Sequence, residues 1–430
     1  LKKPWHTVFI AVLIFLGALA LIPVIGFSLF PPSEKPQFLI RIQSPLQTNI
    51  YATDSIARLI ERELDSVPDV QYYATNVGKG NPRVYYNVEQ ASERADFAEI
   101  FVQLYPETAP KEKMALIERL RDRWTPFTGA KVEVKNFEQG VPVISPVEVR
   151  LFGDNLDTLK RLAARVEQLL EQTPGALYVN NPIRNDKMDI QVEINRDKAL
   201  ALGVPAANID RTIRMALVGM DIATYSDPAF DDEDYFIRLS VPRKSYPDLS
   251  VFDLLYVDNV QGSAIPFNQL ASLKLVPSPS VIYHNNRTRT VSVNCFVQAG
   301  YTNDEVIRSV IAQMDAMPLP VGYHYEMGGE VESREQSFGG FGTVILITVF
   351  LFIAVLVLEF KTLKSTLIVL SVIPLGIVGA AVALLLTGNT LSFVATIGMV
   401  ALAGIEVKNT ILLVDFTNQL RREGMALDEA

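Results

Sequence analysis

Four apolar runs, each long enough to cross a bilayer, divide this chain unequally: Val8–Phe30, Phe341–Leu358, Leu363–Leu386 and Leu391–Val414. About 20 apolar residues, rising 1.5 Å each, match the roughly 30 Å hydrocarbon core. A backbone in lipid must satisfy its own hydrogen bonds, so each run is read as a spanning helix. Lys2 and Lys3 precede the first run, Lys361 and Lys364 separate the second from the third, and Arg421 and Arg422 follow the fourth. If every run spans, all three basic sites share one side, the cytoplasmic one. Residues 31 to about 340 then lie outside, as does the short turn at Thr387–Thr390. The first run is too long for a signal-peptide core. It ends in Phe30-Pro31-Pro32 rather than a small-residue cleavage site.

A mixed architecture fits the bulk figures. With 49% hydrophobic residues and a mean hydropathy of +0.20, the 430-residue chain is too apolar for an ordinary soluble protein and too polar to lie wholly in a membrane. The net charge of −9, with no basic stripe interleaved with aromatics, argues against a nucleic-acid partner. Cys295 is the sole cysteine, so no internal disulfide forms; it reads as a small apolar strand residue. The chain opens on Leu1 and stops just after a spanning run, and we expect it to be a piece of a longer one.

The external segment reads as two copies of β-α-β-β-α-β, the ferredoxin-like pattern. In the first, strands are expected at Phe38–Ile42, Val70–Thr75, Arg83–Val88, Phe97–Tyr105 and Lys131–Lys135, one more than the pattern needs. Its helices are Asn49–Leu64 and Pro110–Trp124. The second begins at Val147–Phe152, with a helix at Asp157–Glu171 and strands at Leu177–Val179 and Asp189–Glu193. It resumes at Arg289–Val297, the helix Asn303–Met314 and the strand Gly322–Glu326. The insertion, roughly Asn195–Pro279, would be a separate lobe. The fold class is therefore an α+β membrane protein: four transmembrane helices and a large external region of two such units with an inserted lobe.

Lys408 sits inside the last apolar run. A lysine at mid-bilayer costs roughly 2.5–3.5 kcal/mol on insertion scales, so it is retained where it faces protein or water and has a partner, and by default it marks an ion or proton path. Asp415 lies seven positions on, about 10 Å along the axis, too far for a direct pair. It is either a solvated or lysine-paired group or a proton entry point. Glu406, two residues before Lys408, points to roughly the opposite side; it is a protonated or water-facing group, or part of the proton route. Pro374, Gly376 and Gly379 suit close helix packing, with a hinge at Pro374 as the alternative.

The segment Gly404-Ile405-Glu406-Val407-Lys408-Asn409-Thr410-Ile411-Leu412-Leu413-Val414-Asp415-Phe416 resembles the tenth spanning helix of resistance-nodulation-division efflux transporters of the hydrophobe/amphiphile exporter type. Val372-Ile373-Pro374-Leu375-Gly376 resembles the ninth. Phe30-Pro31 and Ser44-Pro45 resemble the start of the family's second half. Leu200-Ala201-Leu202-Gly203-Val204 resembles the segment leading into its funnel lobe. The resemblance implies helices seven to ten and the second periplasmic loop. Residues 1–34 would hold the first span. Residues 35–145 form one porter subdomain, 146–186 with 280–332 another, and 187–279 the docking lobe. Residues 333–430 hold the other three spans. It also implies an inner-membrane homotrimer working with a periplasmic adaptor and an outer-membrane channel, and no cofactor.

The resemblance pairs Lys408 with two aspartates on a helix that this sequence does not contain. Protonating them would release the lysine and drive a conformational cycle. Asn409 is the relay member the motif implies beside it. Substrate contact falls by resemblance on the loop Asn136–Pro146, where Phe137, Val141 and Ile144 are the candidates; a plain linker is the other reading. Heavy-metal export within the same family is an alternative. Met114, Met188, Met215, Met220, Met314, Met317 and Met327 are scattered, and His6, His284 and His324 lack ligand spacing. A membrane-anchored binding or assembly module without transport is the third reading, but an anchor has no need of Lys408. No phosphate loop, nucleophile elbow or metal triad supports an enzyme.

Overall fold

The computed structural model describes residues 4–30, 33–226, 234–240 and 249–426. Helix α1 (Pro4–Ile25) is apolar on every side and leaves most of its large side chains exposed, as a helix solvated by lipid does. It stops at Ile25 rather than Phe30. Gly26 turns left-handed (φ +75°), ending the helix, and a short strand, β1 (Phe27–Ser28), follows.

The first of the two duplicated units runs β2 (Gln37–Gln43), α2 (Ile50–Leu64), β3 (Val70–Val77), β4 (Phe97–Leu104), α3 (Pro110–Trp124) and β5 (Lys131–Asn136), with an antiparallel sheet ordered β3-β4-β2-β5. Asn49 caps α2 by accepting from the Ala52 N–H at 2.9 Å. Strand alternation decides which side chains meet the helices. Ile40, Ile42 and Ile100 bury against Ile60, Leu116 and Leu120, each burial contributing roughly 1.5–3 kcal/mol. Leu39 and Phe101 face the other way, onto Tyr85 and Phe137. The strand expected at Arg83–Val88 is an irregular loop instead. Its aromatics serve packing over the free sheet face rather than a pleat, which removes the surplus strand.

The second unit opens with β6 (Val147–Phe152), α4 (Leu156–Gln172) and β7 (Ala176–Asn180). Residues 186–279 then form a compact unit of their own. Its elements are β8 (Asp186–Ile194), α5 (Arg196–Ala201), α6 (Ala206–Leu217), β9 (Met220–Ser226), β10 (Asp234–Leu239), β11 (Tyr256–Asp258), β12 (Ala264–Pro266), α7 (Phe267–Leu270) and β13 (Ala271–Pro279). Its core gathers Ile209, Phe252, Val257, Phe267 and Leu270. The strand expected at Asp189–Glu193 to continue the second unit belongs here. As part of β8 it pairs with β13 from Asp186↔Pro279 to Ile194↔Ala271, so its ladder is satisfied inside the insertion.

The second unit resumes with β14 (Tyr283–Asn285), β15 (Thr288–Val297), α8 (Asn303–Asp315) and β16 (His324–Gly329). Its sheet is ordered β14-β15-β6-β16, with β7 also on β15. The path β7-β15-β6-β16 matches β3-β4-β2-β5 strand for strand, which is the duplication in three dimensions. Cys295 lies fully buried in this core, and burial pushes its thiol up to about 12, so it behaves as an apolar residue.

From Gly329 the chain enters α9 (Glu330–Phe338) and α10 (Phe341–Phe360). The expected third span is two helices, α11 (Leu363–Leu370) and α12 (Ile373–Thr387), broken at Ser371–Val372. Pro374 has no N–H to give the Leu370 carbonyl and its ring crowds it, so the ladder restarts on Val372, whose carbonyl accepts from Leu375 and Gly376. A two-residue strand, β17 (Leu391–Ser392), pairs in parallel with β1 and leads into α13 (Phe393–Arg422), capped by Ser392. That pairing ties the end of α1 to the start of α13. Ala18, Ile25 and Ala381 join α1 to α12; Leu356, Val369 and Val407 join α10, α11 and α13. Among the described residues, four helical segments are long and apolar enough to cross a membrane: Trp5–Ile25, Glu330–Phe360, Leu363–Thr387 and Phe393–Arg422.

Candidate functional site

Two regions hold the side chains singled out by the sequence. The first is the middle of α13. Lys408 and Asn409 are exposed on its outer side, and Lys408 makes no ion pair among the described residues. Enclosure of the ammonium beside a carboxylate is therefore not met within this chain. Asp415 is likewise exposed toward the basic end of the helix. Glu406 is half-buried and turns elsewhere, against α12. Its Oε2 is shielded from solvent without a hydrogen-bond partner among the described residues. A Cβ on Gly376 would stand 2.4 Å from that oxygen, so the missing side chain at Gly376 is the space the carboxyl occupies. The four relay candidates thus divide: Lys408 and Asn409 point outward from the helix set, while Glu406 faces the helix that carries Pro374.

The second region lies where the two sheets of the duplicated units meet. The Val134 N–H donates to the Tyr178 hydroxyl at 3.0 Å, and the Lys131 ammonium donates to the Val179 carbonyl at 2.8 Å, so edge strand β5 is tied to β7. Beside this seam is a cavity of about 300 Å³ walled by Phe30, Phe137, Val141, Val143, Phe296 and Tyr301. Phe137 is mainly a packing residue: its ring is buried and stacks on Tyr85 with centroids 4.5 Å apart. Val141 is exposed at the cavity wall. Ile144 does not join them. It is exposed and lines a smaller neighbouring space of about 150 Å³ with Arg41, Tyr178 and Phe296.

Charged groups at the cavity were not singled out by the sequence. Glu330, at the start of α9, is buried. Its Oε1 accepts from the Leu29 N–H at 2.9 Å, its Oε2 from the Asn303 amide at 2.5 Å, and Arg334 stands 3.4 Å away. Lys135 lies 2.6 Å from Glu133 and 4.0 Å from the centroid of the Phe296 ring. Burial pulls the Lys135 ammonium below its ordinary range despite that partner. Burial works against the Glu133 carboxylate, but Lys135 and then Lys131 outweigh it and hold the group at about 2. Glu138 is half-buried and raised to about 7, first by burial and then by the nearby Glu330 charge. The one sequence cue to Glu138 was its place beside Phe137 in the loop joining the units. Glu330 had none, because its partners come from Leu29 just after β1 and from Asn303 at the start of α8.

A family model for AcrB/AcrD/AcrF proteins matches residues 1–430. The chain belongs to the AcrB/AcrD/AcrF family. The resistance-nodulation-division resemblance of the Lys408 segment is thereby borne out. Relatives include the cobalt-zinc-cadmium resistance protein CzcA of Cupriavidus metallidurans, 26% identical over 293 residues, which are 67% of this chain and 27% of CzcA. The nickel and cobalt resistance protein CnrA of the same organism is 25% identical over 406 residues, 91% of this chain and 37% of CnrA. A crystal structure of a heavy metal efflux pump shares the fold, with a TM-score of 0.79 and 19% identity, covering 97% of this chain and 43% of that one. The chain thus spans well under half the length of the family members it matches.

Proposed function

We propose that this chain is part of an inner-membrane permease that exports hydrophobic or amphiphilic compounds in exchange for protons. The observation that supports it most is Lys408: a charged side chain in mid-span, turned away from the helices of its own chain. Retaining such a charge in lipid is explained by a carboxylate on a neighbouring helix of the complete protein. Protonating that carboxylate breaks the pair and shifts the helix set between two states. Asn409 stands beside Lys408 on this route, with Asp415 toward the cytoplasmic end and Glu406 on the α12 side. The external region is then periplasmic and its duplicated sheets are two ferredoxin-like porter subdomains. Residues 187–279 form the docking lobe of a trimer that works with an adaptor and an outer-membrane channel. Substrate enters the cavity beside Phe137 and Val141.

Metal export is the second reading, favoured by the names of CzcA and CnrA. The cavity supports the organic one: most of its exposed wall surface is apolar, with Phe30, Val141, Val143, Phe296 and Tyr301 contributing, and Met114 is its thioether. The deciding experiment uses the full-length permease in everted vesicles and follows collapse of a preformed pH gradient. Ethidium should trigger proton release, Zn²⁺ or Ni²⁺ should not, and Lys408→Ala should abolish the response while the trimer persists. Proton release by the divalent cations alone would establish the metal reading. An undiminished response in Lys408→Ala would refute the relay.

A further inference from the structure

Glu330 is held by one part of the fold and grips another. Its backbone belongs to the second duplicated unit: it follows β16 directly, and its N–H donates to the Pro146 carbonyl, just before β6, at 2.9 Å. Its side chain reaches the junction of α1 with α13. Oε1 accepts from the Leu29 N–H at 2.9 Å, and Oε2 from the Asn303 side-chain amide, at the head of α8, at 2.5 Å. Leu29 is in turn fixed to the start of α13. Its carbonyl accepts from the Phe393 N–H at 3.2 Å, the Gly26 carbonyl accepts from the Leu391 N–H at 3.0 Å, and the hydroxyls of Ser28 and Thr390 are bonded at 2.5 Å. Phe393 is the first residue of α13, the helix that carries Lys408. A connected set of contacts therefore runs from α13 through Leu29 and Glu330 to α8.

A second set runs beside it. Arg334, one turn along α9, lies 3.1 Å from Asp304 on α8 and 3.4 Å from Glu330, and its guanidinium stands 4.6 Å from the centroid of the Phe27 ring in β1. Phe27 packs edge-on against Phe338, and Phe338 against Phe393, with centroids 5.5 and 5.1 Å apart. The covalent route is softer: α9 passes into α10 through Gly339 and Gly340, which have no side chains to brace it. A buried carboxylate cannot release one donor without leaving an unpaired polar group, so the segments it joins move together. We infer that Glu330 is a positioning residue for transport: its carboxyl clamps the start of α13 to the head of α8, so that a shift of the Lys408 helix is delivered to the second duplicated unit. This rests on the proton-coupled export reading and adds to it the route from Lys408 to the duplicated units.

The test uses the purified full-length permease in proteoliposomes. It follows ethidium export per folded molecule, ethidium binding by fluorescence polarisation, and hydrogen exchange of the α8 amides. Glu330→Met keeps the length of the side chain but accepts from neither donor. It is expected to slow export about tenfold, the scale of losing one charge-assisted contact, with ethidium affinity within about twofold of the parent. Glu330→Gln should stay within about twofold in both: its amide oxygen accepts from Leu29, the Asn303 amide turns round to accept from its nitrogen, and Arg334 retains Asp304. Asn303→Ala, which releases the α8 side alone, should show the same split and serves where Glu330→Met does not fold. A role in stability alone would lower the amount of folded protein and leave the export rate of the surviving molecules unchanged. Lys408→Ala should alter exchange at the head of α8 in the parent but not in Glu330→Met. Parental export by folded Glu330→Met, or an equal loss in Glu330→Gln, overturns the clamp. If Lys408→Ala changes α8 exchange even in Glu330→Met, or abolishes export without changing it at all, the clamp is wrong and the relay reading stands. If Lys408→Ala leaves export undiminished, the relay itself fails, and the clamp with it.

Discussion

Gly329 joins the second sheet to α9 and the long apolar helix beyond it, and its replacement by alanine should be among the most damaging single-methyl changes in the chain. Its backbone sits at φ +63° and ψ −127°, a region open in practice only to glycine. A Cβ there would lie 2.5 Å from the Ser145 carbonyl oxygen and 2.6 Å from that of Pro146. Both are backbone atoms, so no rotamer change relieves the overlap. The next N–H, from Glu330, donates to the same Pro146 carbonyl at 2.9 Å. The backbone strain costs about 1–3 kcal/mol, and the forced shift of a packed chain about 1–3 kcal/mol more. Displacing Glu330 would weaken its contacts with Leu29 and Asn303, each worth about 1–3 kcal/mol as a charge-assisted bond. The strain and the forced shift together should cost about 2–6 kcal/mol, before any loss at Glu330. Gly300→Ala is the matched control: φ is +94°, but nothing lies within 4 Å of its Cβ, so it meets the backbone term alone. The assay is the temperature at which half of the folded full-length protein is lost on size-exclusion chromatography after heating. Comparison is between variants, because unfolding of such a protein is irreversible. Gly329→Ala should fall well below Gly300→Ala; equal midpoints would refute the packing described at the Ser145–Pro146 carbonyls.

Two further outcomes follow from the external units. Phe137→Ala should destabilise the first unit by about 3–5 kcal/mol, since the ring is buried and stacked on Tyr85; a change in dye selectivity with unaltered thermal stability would show that the ring serves contact rather than packing. Lys113 is buried and donates to the carbonyls of Ser33 and Lys35 and to Asn136, and its ammonium is lowered to about 8, chiefly by burial. The unfolded chain therefore binds more protons between pH 8 and about 10.5, so stability rises with pH across that window, by about 3 kcal/mol at most. Lys113→Met should remove that rise, measured as the pH dependence of the heating midpoint; a persistent rise would assign it to another group.

The four spans and the duplicated strand–helix pattern were legible in the chain because each depends on local periodicity. An apolar run of bilayer length needs no tertiary partner to be recognised, and neither do the alternating strands at Phe38–Ile42 and Val147–Phe152. The errors fell where a residue's role is set by what lies across from it. Arg83–Val88 has strand composition but packs Tyr85 on Phe137, and Asp189–Glu193 found its partner eighty-odd residues away in β13. Lys408 was legible because charge in lipid is costly wherever the rest of the protein lies. Glu138, Glu330 and the Glu406–Gly376 contact were not, because pairing, burial and free space exist only between segments distant in sequence.

By itself, the order of residues determined that this chain carries four helical segments long and apolar enough to cross a membrane, that the region between the first two is a duplication, and that a lysine in the last of them needs an explanation. Hydropathy and periodicity act over one or two turns, so those properties are local. The tertiary structure alone decided which charges are neutralised, which ring is core and which wall, and where a glycine leaves room for a carboxyl. Those outcomes follow from distances of a few ångströms between residues that the chain holds far apart.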